Sequence, residues 1–469
     1  MACSRELFNV VMLGLGFLLI MGGYSPVQNF ATSLLNLPCL AIGSFSIGLI
    51  YAALAIAALL APVAIRRLGE RTAMILTSLA YCTYVVSVAW IITPVVILTS
   101  INIGLCGGVL NTAGGSFLAK NCDDTNRGQF SGIFNAFNMG SAIPGNLLSI
   151  FFLSTSGATA GSGSDSDATS GLTSTDDTDS HCGPGTTWRD RINLGWDGSS
   201  SEFFLALAVM CLAGTGALCL IRSSPRGQAL NEAEEPAESS REIIAKTLSL
   251  LTAPVMRPLI LLFLYSGLSN AYWSGMLPGQ VDTAMVGPAM VVVGVAEVCG
   301  GLVYGRMIDC VGAKRTLCAV LLQNLCALGL SVVANLPSVR DSTSVDLTSE
   351  HLFYVASFLL GAADNGLMTC IYAIVSATFE NQGEAAASPK ERLLESVPAG
   401  GAARHCADDA FALLMCLNSV MVMVVFLCQP LLVTNDDAPQ LLPGAFLGET
   451  VFVGAWEAVA VLCAVCWAQ

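Results

Sequence analysis

The chain has 469 residues, of which 54% are apolar and only 12% are charged. Soluble domains carry about 25% charged residues, so this composition excludes an ordinary soluble protein and favours one embedded in a lipid bilayer. The formal net charge of −14 lies mostly in three loops, which leaves no basic surface for a nucleic-acid partner.

Apolar stretches of membrane-spanning length follow one another along the chain, so we predict an all-α polytopic membrane protein. The twelve predicted transmembrane helices cover residues 8–34, 40–65, 72–92, 95–119, 130–154, 203–222, 255–278, 283–307, 315–336, 352–378, 408–433 and 446–468. If the N-terminus is cytosolic, only Arg189, Arg191 and Arg340 of the 20 Lys and Arg residues face the other side. Since Lys and Arg concentrate in cytoplasmic loops, we expect both termini in the cytosol, at the plasma membrane or an endolysosomal membrane.

Long loops interrupt these predicted helices. Residues 155–202 are rich in Ser, Thr, Gly and Asp and have little to bury, so we expect a disordered acidic loop outside the cytosol. Residues 223–254 form a cytoplasmic linker between an N-terminal six-helix half, 1–222, and a C-terminal six-helix half, 255–469. A third loop, 379–407, is expected on the cytoplasmic side.

The linker contains a helix signal of its own. Ser239 and Glu242 have the spacing of a capping box, and the apolar residues Ile243 and Leu248 follow with Lys246 between them. This pattern predicts a short amphipathic helix that lies on the cytoplasmic surface.

Most of the 18 cysteines lie within predicted helices, where they serve as small apolar packing residues. Cys39 and Cys182 differ, because both fall in loops predicted to lie outside the cytosol. They either form a disulfide or remain two unpaired thiols.

The loop between predicted helices 8 and 9 carries the most specific motif. Its pattern, G-x-x-x-D-x-x-G-x-K-R, is formed by Gly305, Asp309, Gly312, Lys314 and Arg315. Gly305 allows two helices to approach closely, and Asp309 can accept hydrogen bonds from the N-terminus of a neighbouring helix, where partial positive charge accumulates. Gly312 turns the chain, while Lys314 and Arg315 hold the loop in the cytosol. We predict that these residues form a conformational latch.

The corresponding loop between predicted helices 2 and 3 keeps only part of this pattern. Gly69 and basic residues remain, but Arg66 stands at the position of Asp309. The latch of the N-terminal half is therefore expected to be altered or absent. Two six-helix halves joined by a long cytoplasmic loop, with such a motif, are the layout of the major facilitator fold.

Several segments resemble one branch of that superfamily, the Unc-ninety-three-like proteins. Predicted helix 1 contains Y-x-x-x-Q-N followed by S-L-x-N, and predicted helix 7 contains Y-x-G-L-x-x-A followed by an aromatic residue. The segments that carry the resemblance are 24–29, 33–36, 111–116, 131–135, 145–148, 265–275 and 361–364. The chain departs from the family at Asn111, where an aromatic residue is usual nearby, and in the acidic loop, which looks like an insertion.

This resemblance covers nearly the whole chain and implies the major facilitator fold. Members of the family are described as membrane regulators rather than proven carriers. One branch modulates two-pore-domain potassium channels, one is linked to potassium homeostasis in plants, and one escorts nucleic-acid-sensing receptors to endosomes. The resemblance therefore implies function only loosely, and it supplies no catalytic residues.

In facilitators, helices 1, 4, 7 and 10 line a central cavity, and the conspicuous polar residues of this chain favour the same helices. Polar side chains avoid lipid, so they either line such a cavity or form hydrogen bonds between the helices of a closed bundle. The predicted cavity-lining residues are Tyr24, Gln28, Asn29, Asn111, Ser116, Tyr265, Asn270, Tyr272, Trp273 and Asn365.

Acidic residues lie near the middle of three predicted helices. A carboxylate at membrane depth costs about 2.5–3.5 kcal/mol on insertion scales, so Asp364 and Glu297 are expected to face the bundle interior or water. Both are candidates for proton or cation coupling; the alternative for Asp364 is a neutral acid that donates one hydrogen bond across the bundle. Glu457 lies in predicted helix 12, which is peripheral in this fold, and is expected to face a partner protein or lipid headgroups.

No Lys or Arg lies in the middle of a predicted helix, so the cavity would favour a proton, a small cation or a neutral solute over an anion. The leading hypothesis is a regulator of potassium-channel activity or ion homeostasis, with an ion channel or receptor as its partner in the bilayer. The alternatives are a proton-coupled secondary transporter of a small cation or neutral solute, and a trafficking chaperone for another membrane protein. No phosphate loop, zinc spacing or catalytic motif occurs, so neither an enzyme nor a cofactor or metal site is expected.

Overall fold

The computed structural model describes residues 5–34, 36–37, 40–90, 93–123, 125–148, 198–222, 239–272, 283–334, 349–385, 407–434, 440–441 and 452–461. Over these residues the fold is helical, apart from two short antiparallel pairs. These are β1 (Asn36–Leu37) with β2 (Leu40–Ala41), and β3 (Val433–Thr434) with β4 (Gln440–Leu441). Long apolar segments become helices because a backbone in lipid has to satisfy its own hydrogen bonds.

The helices fall into two groups around a linker helix. The first group, the N-half, comprises α1 (Arg5–Leu34), α2 (Ile42–Leu68), α3 (Glu70–Trp90), α4 (Thr93–Ala119), α5 (Arg127–Met139) and α6 (Gly198–Cys219). A further helical stretch, 142–148, follows α5. The linker helix is α7 (Ser240–Ser249). The second group, the C-half, comprises α8 (Arg257–Ala271), α9 (Thr283–Val311), α10 (Ala313–Ala334), α11 (Ser349–Ala385), α12 (Ala407–Leu432) and α13 (Phe452–Val461).

Nine of the described helices are long and apolar enough to cross a membrane, namely α1–α4, α6 and α9–α12. Helix α8 follows α7 after a bend of 97°, and this pair passes the same test together. Helix α5 overlaps predicted helix 5, and α13 lies within predicted helix 12. Parts of both predicted helices lie outside the described residues, so the count of twelve stays a prediction. Leu98, Leu205 and Leu322 are 67%, 62% and 66% exposed on the outer surface, which suits contact with lipid.

Among the described residues, the two halves pack together where α5 meets α9 and α11, and where α2 and α4 meet α12. The α5–α9 crossing is close because glycines face each other. A Cβ atom on Gly305 would lie 2.6 Å from the carbonyl oxygen of Gly128 and 2.9 Å from Cα of Gly132. Near these crossings, one end of the bundle holds Arg66, Lys120, Asp309 and Asp409 at helix termini. We call it the basic end, because the Lys and Arg residues at the α2–α3 and α9–α10 turns lie there.

Helix α7 bridges the two halves at the basic end. Glu242 Oε2 accepts a hydrogen bond from the Ser239 N–H at 2.8 Å, at the predicted capping-box position. Ile243 and Thr247 are buried, and α7 packs against both α2 and α12. The face formed by Ile243 and Thr247 therefore lies on protein, while Leu248 of the predicted apolar face is exposed.

Candidate functional site, an acidic central cavity

A cavity of about 230 Å³ lies between the two halves. Drug-sized ligands occupy sites of about 300–1,000 Å³, so this smaller space suits an ion or a small solute. The lining comes from helices of both halves, including α1, α4, α8 and α11. The cavity brings together five of the residues singled out from the sequence: Tyr24, Asn111, Asn270, Glu297 and Asp364.

Two of these residues are acidic and deeply buried. Asp364 is 6% exposed, and its Oδ1 accepts a hydrogen bond from Ser269 Oγ at 2.7 Å. Glu297 is 1% exposed, and its Oε1 has no hydrogen-bond partner among the described residues. A buried carboxylate without a counter-charge is costly, so each acid is stable here when protonated or when neutralised by a cation.

The described lining residues include no Lys, Arg or His. The charge that neutralises Glu297 and Asp364 therefore does not come from a basic residue of this lining. A proton or a bound cation can supply it, whereas an anionic solute would add to the repulsion between the two carboxylates.

Neutral polar side chains complete the lining, and the sequence argument did not single them out. The sequence signal for most of them was an amide or hydroxyl within predicted helices 2, 3, 5 and 11; Ser25 and Ser266 lie in predicted helices 1 and 7. Asn418 Nδ2 donates a hydrogen bond to Ser266 Oγ at 2.9 Å, which joins α12 to α8 at the cavity. The added residues are Ser25, Tyr51, Tyr81, Asn138, Ser141, Asn146, Ser266, Asn418 and Ser419.

Other predicted lining residues lie elsewhere. Asn365 turns towards α9, where its Nδ2 donates a hydrogen bond to the Glu297 carbonyl oxygen at 2.6 Å. It points away from the cavity because one residue along a helix is a rotation of about 100° from Asp364. Tyr265 and Tyr272 are buried within the C-half and do not line the cavity. The remaining predicted positions fall outside the part of the chain whose side chains are described: Gln28, Asn29, Cys39, Cys182 and Trp273.

Glu457 does not face a partner or lipid, and that prediction is wrong. The residue is 1% exposed, and its Oε2 accepts a hydrogen bond from Asn324 Nδ2 at 2.6 Å. The same Nδ2 lies 2.6 Å from the Tyr265 hydroxyl. The carboxyl group turns inward because α8 and α10 offer it hydrogen-bonding groups that lipid lacks.

At the basic end, Asp309 contacts the first turn of α5. Asp309 Oδ1 accepts the Gly128 N–H and Oδ2 accepts the Gln129 N–H, both at 2.7 Å. A helix N-terminus carries partial positive charge and free N–H groups, so a carboxylate is favourable there. Gly312 follows with φ of +89°, a left-handed conformation that favours glycine, and Lys314 and Arg315 are exposed at the start of α10. We call this the α5–α9 contact.

The N-half has a matching contact of opposite charge. Arg66 Nη2 lies 3.5 Å from Asp409 Oδ2 in the first turn of α12, and the Asp409 side chain is fully buried. Thr247 Oγ1 of α7 donates a hydrogen bond to Asp409 Oδ1 at 2.6 Å. Gly69 has φ of +76°, so the α2–α3 turn has the same conformation as the α9–α10 turn. This α2–α12 contact is altered in charge rather than absent.

Ser116 belongs to the basic end and does not line the cavity. Its Oγ donates a hydrogen bond to Glu70 Oε1 at 2.7 Å and also contacts Asp408 at the start of α12. Lys120 Nζ lies 2.7 Å from the same Glu70 oxygen. Ser116 lies about 7.5 Å further along α4 than Asn111, since each residue of a helix advances the chain by about 1.5 Å.

Comparison with known proteins identifies the family. The family model described as ion channel regulatory protein UNC-93 matches residues 41–401. The chain belongs to the UNC-93 family. The resemblance noted from its polar segments is thereby confirmed.

Two relatives show how much of this UNC-93 family member aligns with known proteins. UNC93-like protein MFSD11 of Xenopus tropicalis is 27% identical over 331 residues, which cover 65% of this chain and 66% of the relative, just under two thirds. Protein unc-93 homolog A of Bos taurus is 24% identical over 407 residues, which cover 81% of this chain and 83% of the relative.

Solved structures show that this UNC-93 family member has the major facilitator fold. The proton:xylose symporter XylE bound to 6-bromo-6-deoxy-D-glucose matches with a TM-score of 0.64 at 12% identity, covering 98% of this chain and 95% of that chain. The major facilitator superfamily transporter FucP in the outward conformation matches with a TM-score of 0.62 at 14% identity, covering 99% and 100%. At such low identity the likeness concerns the fold alone.

Proposed function

We propose that this protein acts in ion homeostasis at a membrane, by binding a proton or a small cation in its central cavity and exposing that site to each side in turn. The observation that carries the proposal is the placement of Glu297 and Asp364 in one cavity between the halves, with no basic residue among the described lining. Such a site holds positive charge and rejects anions.

The two acids have distinct roles in this proposal. Asp364 binds the proton or cation, because Ser269 holds one of its oxygens at 2.7 Å and fixes its orientation. Glu297 is the partner that shares the positive charge, since its Oε1 is left without a hydrogen bond among the described residues. Two neighbouring acids that share one positive charge release it when a competing proton or cation arrives.

The α5–α9 and α2–α12 contacts are proposed to act as latches that hold the basic end shut. Each joins the last turn of one helix to the first turn of a helix in the other half. Opening the cavity towards the basic end would break both contacts. We propose that this end faces the cytosol, because Lys and Arg concentrate in cytoplasmic loops.

The test is transport by the purified protein in liposomes that contain a pH-sensitive dye. An imposed gradient of potassium or sodium is expected to drive a change of internal pH. Asp364→Asn is expected to reduce that change at least about ten-fold, since it removes about 1.4 kcal/mol or more of charge stabilisation. Glu202→Gln is the matched control, an acid-to-amide change outside the cavity lining. Wild-type coupling in Asp364→Asn would reject the role given to Asp364.

A second candidate function is regulation of an ion channel, in particular a potassium channel. The family description, ion channel regulatory protein UNC-93, favours it. A regulator would co-purify with a membrane partner near one-to-one from native membranes and would show little flux alone. A trafficking chaperone would also bind a partner, but would release it after delivery. Flux without any stoichiometric partner would reject both of these alternatives.

A further inference from the structure

A set of buried polar side chains between α5 and α11 belongs to neither the cavity lining nor the two contacts. We call it the polar column; its members are Ser131, Asn135, Asn365, Thr369 and Ser376, and each is 0% exposed. Most of their polar atoms have no hydrogen-bond partner among the described residues. These atoms are the hydroxyls of Ser131, Thr369 and Ser376, both amide atoms of Asn135, and Oδ1 of Asn365. On the same helix, the Thr378 hydroxyl does find a partner and donates to the Ile374 carbonyl oxygen at 2.7 Å, whereas that of Ser357, outside the column, is unpartnered among the described residues.

Helix geometry places these residues in one interface. At about 100° per residue, Asn365, Thr369 and Ser376 share one face of α11 with Tyr372. Tyr372 contacts the Phe134 ring of α5, with ring centroids 5.7 Å apart. That face of α11 therefore looks onto α5.

The other end of the same face gives a second point of contact. A Cβ atom on Gly301 would lie 2.8 Å from Asn365 Nδ2 and 3.1 Å from the Ala136 nitrogen of α5. On α5, Ser131 and Asn135 lie one turn apart. One neighbouring side of this helix carries the glycines that meet α9, and the other carries Phe134, which meets α11. The unpartnered groups of the two helices thus border the same space.

The polar column runs from the cavity towards the basic end. Asn365 marks the cavity level, because it is bonded to the Glu297 backbone at 2.6 Å. Thr369 and Ser376 follow at about 6 and 16 Å along α11, at about 1.5 Å per residue. Ser131 lies less than one turn from Gly128, whose N–H bonds to Asp309.

The spread of these groups decides what they bind. A dehydrated metal cation needs about six oxygens around one point, whereas each level of the column offers one or two. A buried water needs about two to four polar partners and can find them here, partly from neighbouring waters. Leaving a buried polar group unpaired costs about 1–3 kcal/mol, so a chain of waters would also remove that penalty.

We infer that the polar column is a proton path, formed with bound water, that connects Glu297 to the basic end. The inference rests on the proposed function, which makes Glu297 a proton-sharing acid. In each step one O–H bond breaks and one forms between neighbouring oxygens. The sum of the steps moves one proton from the Glu297 carboxyl group to the solvent, and the carboxylate that remains is free to pair with a cation.

The experiment compares two threonines of α11 in the liposome assay described above. Thr369→Val removes a hydroxyl of the column without changing the shape of the side chain, and is expected to slow proton movement about ten-fold. Thr378→Val is the matched control, because its hydroxyl is bonded to its own helix, and is expected to leave the rate within about two-fold. Asn135→Leu tests the α5 side of the column and is expected to act like Thr369→Val.

Folding is checked by a single symmetric peak in size exclusion; should Asn135→Leu aggregate, Ser376→Ala takes its place. Wild-type rates in the column variants, or equal losses in Thr369→Val and Thr378→Val, would overturn the path and leave the proposed function standing. A wild-type protein that moves no protons would reject both.

Discussion

Asn324 holds two neighbouring groups with one amide. Its Nδ2 donates to Glu457 Oε2 and lies within the same distance, 2.6 Å, of the Tyr265 hydroxyl. A primary amide has two N–H groups, so both bonds form together. The residue thereby ties α10 to α8 and α13, and it makes Glu457 part of the packing of the C-half.

Asn324→Leu is expected to lower the melting temperature of the detergent-purified protein. The change removes the Asn324 donor from the buried Glu457 carboxyl group and from the Tyr265 hydroxyl, which costs about 1–3 kcal/mol. Glu457→Leu combined with Asn324→Leu is expected to recover most of the loss, because the buried carboxyl group is then removed together with its donor. Thermal unfolding followed by tryptophan fluorescence measures the effect. Additive losses in the double variant would contradict the pairing.

At the level of elements, α2 and α9 end in the same way. In each, the N–H of the left-handed glycine bonds to the carbonyl oxygen four residues earlier, at 2.8 Å for Gly69 and 2.9 Å for Gly312. Arg66 of α2 and Asp309 of α9 each lie three residues before that glycine, and each reaches the first turn of a helix in the other half. On α9 it is an acid that meets backbone N–H groups, and on α2 it is a base that meets an acid.

Reversing the charge of Arg66 is expected to free the first turn of α12. In Arg66→Asp, the new carboxylate faces the buried carboxylate of Asp409. Breaking a buried ion pair costs about 3–5 kcal/mol. Hydrogen–deuterium exchange of peptides from α12 and α7 should then accelerate at least about ten-fold. Adding Asp409→Arg restores opposite charges and is expected to slow the exchange again. Arg257→Asp, at an exposed position, serves as the control.

That comparison can also fail clearly. If the double reversal exchanges as fast as Arg66→Asp alone, then the charge pair does not hold α12, and the Thr247 hydrogen bond to Asp409 becomes the better explanation of the contact.

For the whole molecule, the glycines of the α5–α9 crossing set how closely the halves approach. A Cβ atom on Gly132 would overlap the carbonyl oxygen of Gly301, and the neighbouring backbone cannot move aside without separating the helices. By contrast, a Cβ atom on Gly216 of α6 would meet nothing within 4 Å.

Gly132→Ala is therefore expected to destabilise the state in which the basic end is closed. The melting temperature should fall, and the amides of Gly128 and Gln129 should exchange faster with deuterium as their bonds to Asp309 loosen. Gly216→Ala is the control and should be neutral or stabilising by up to about 1 kcal/mol, since alanine favours a helix. Equal melting temperatures for the two variants would argue against close packing at the crossing.

The sequence was sufficient for some of these features and insufficient for others. Hydropathy located the apolar helices, because burial in lipid leaves a long uninterrupted signal. It did not show that Ser116 lies at the basic end or that Glu457 turns inward, because helix rotation and tilt depend on neighbours that the pattern does not contain. The partner of Arg66 was hidden for the same reason, since Asp409 is distant in the chain and carries no motif.

The α2–α12 contact also predicts a relationship between two positions across evolution. The left-handed turn at Gly69 accepts either charge at position 66, so what constrains that position is the first turn of α12. An acid at position 66 would face the buried acid at position 409. A lineage could therefore acquire an acid at position 66 only if position 409 changed as well. Among relatives, Arg or Lys at position 66 is therefore expected to occur with an acid at position 409, and an acid at position 66 with its loss.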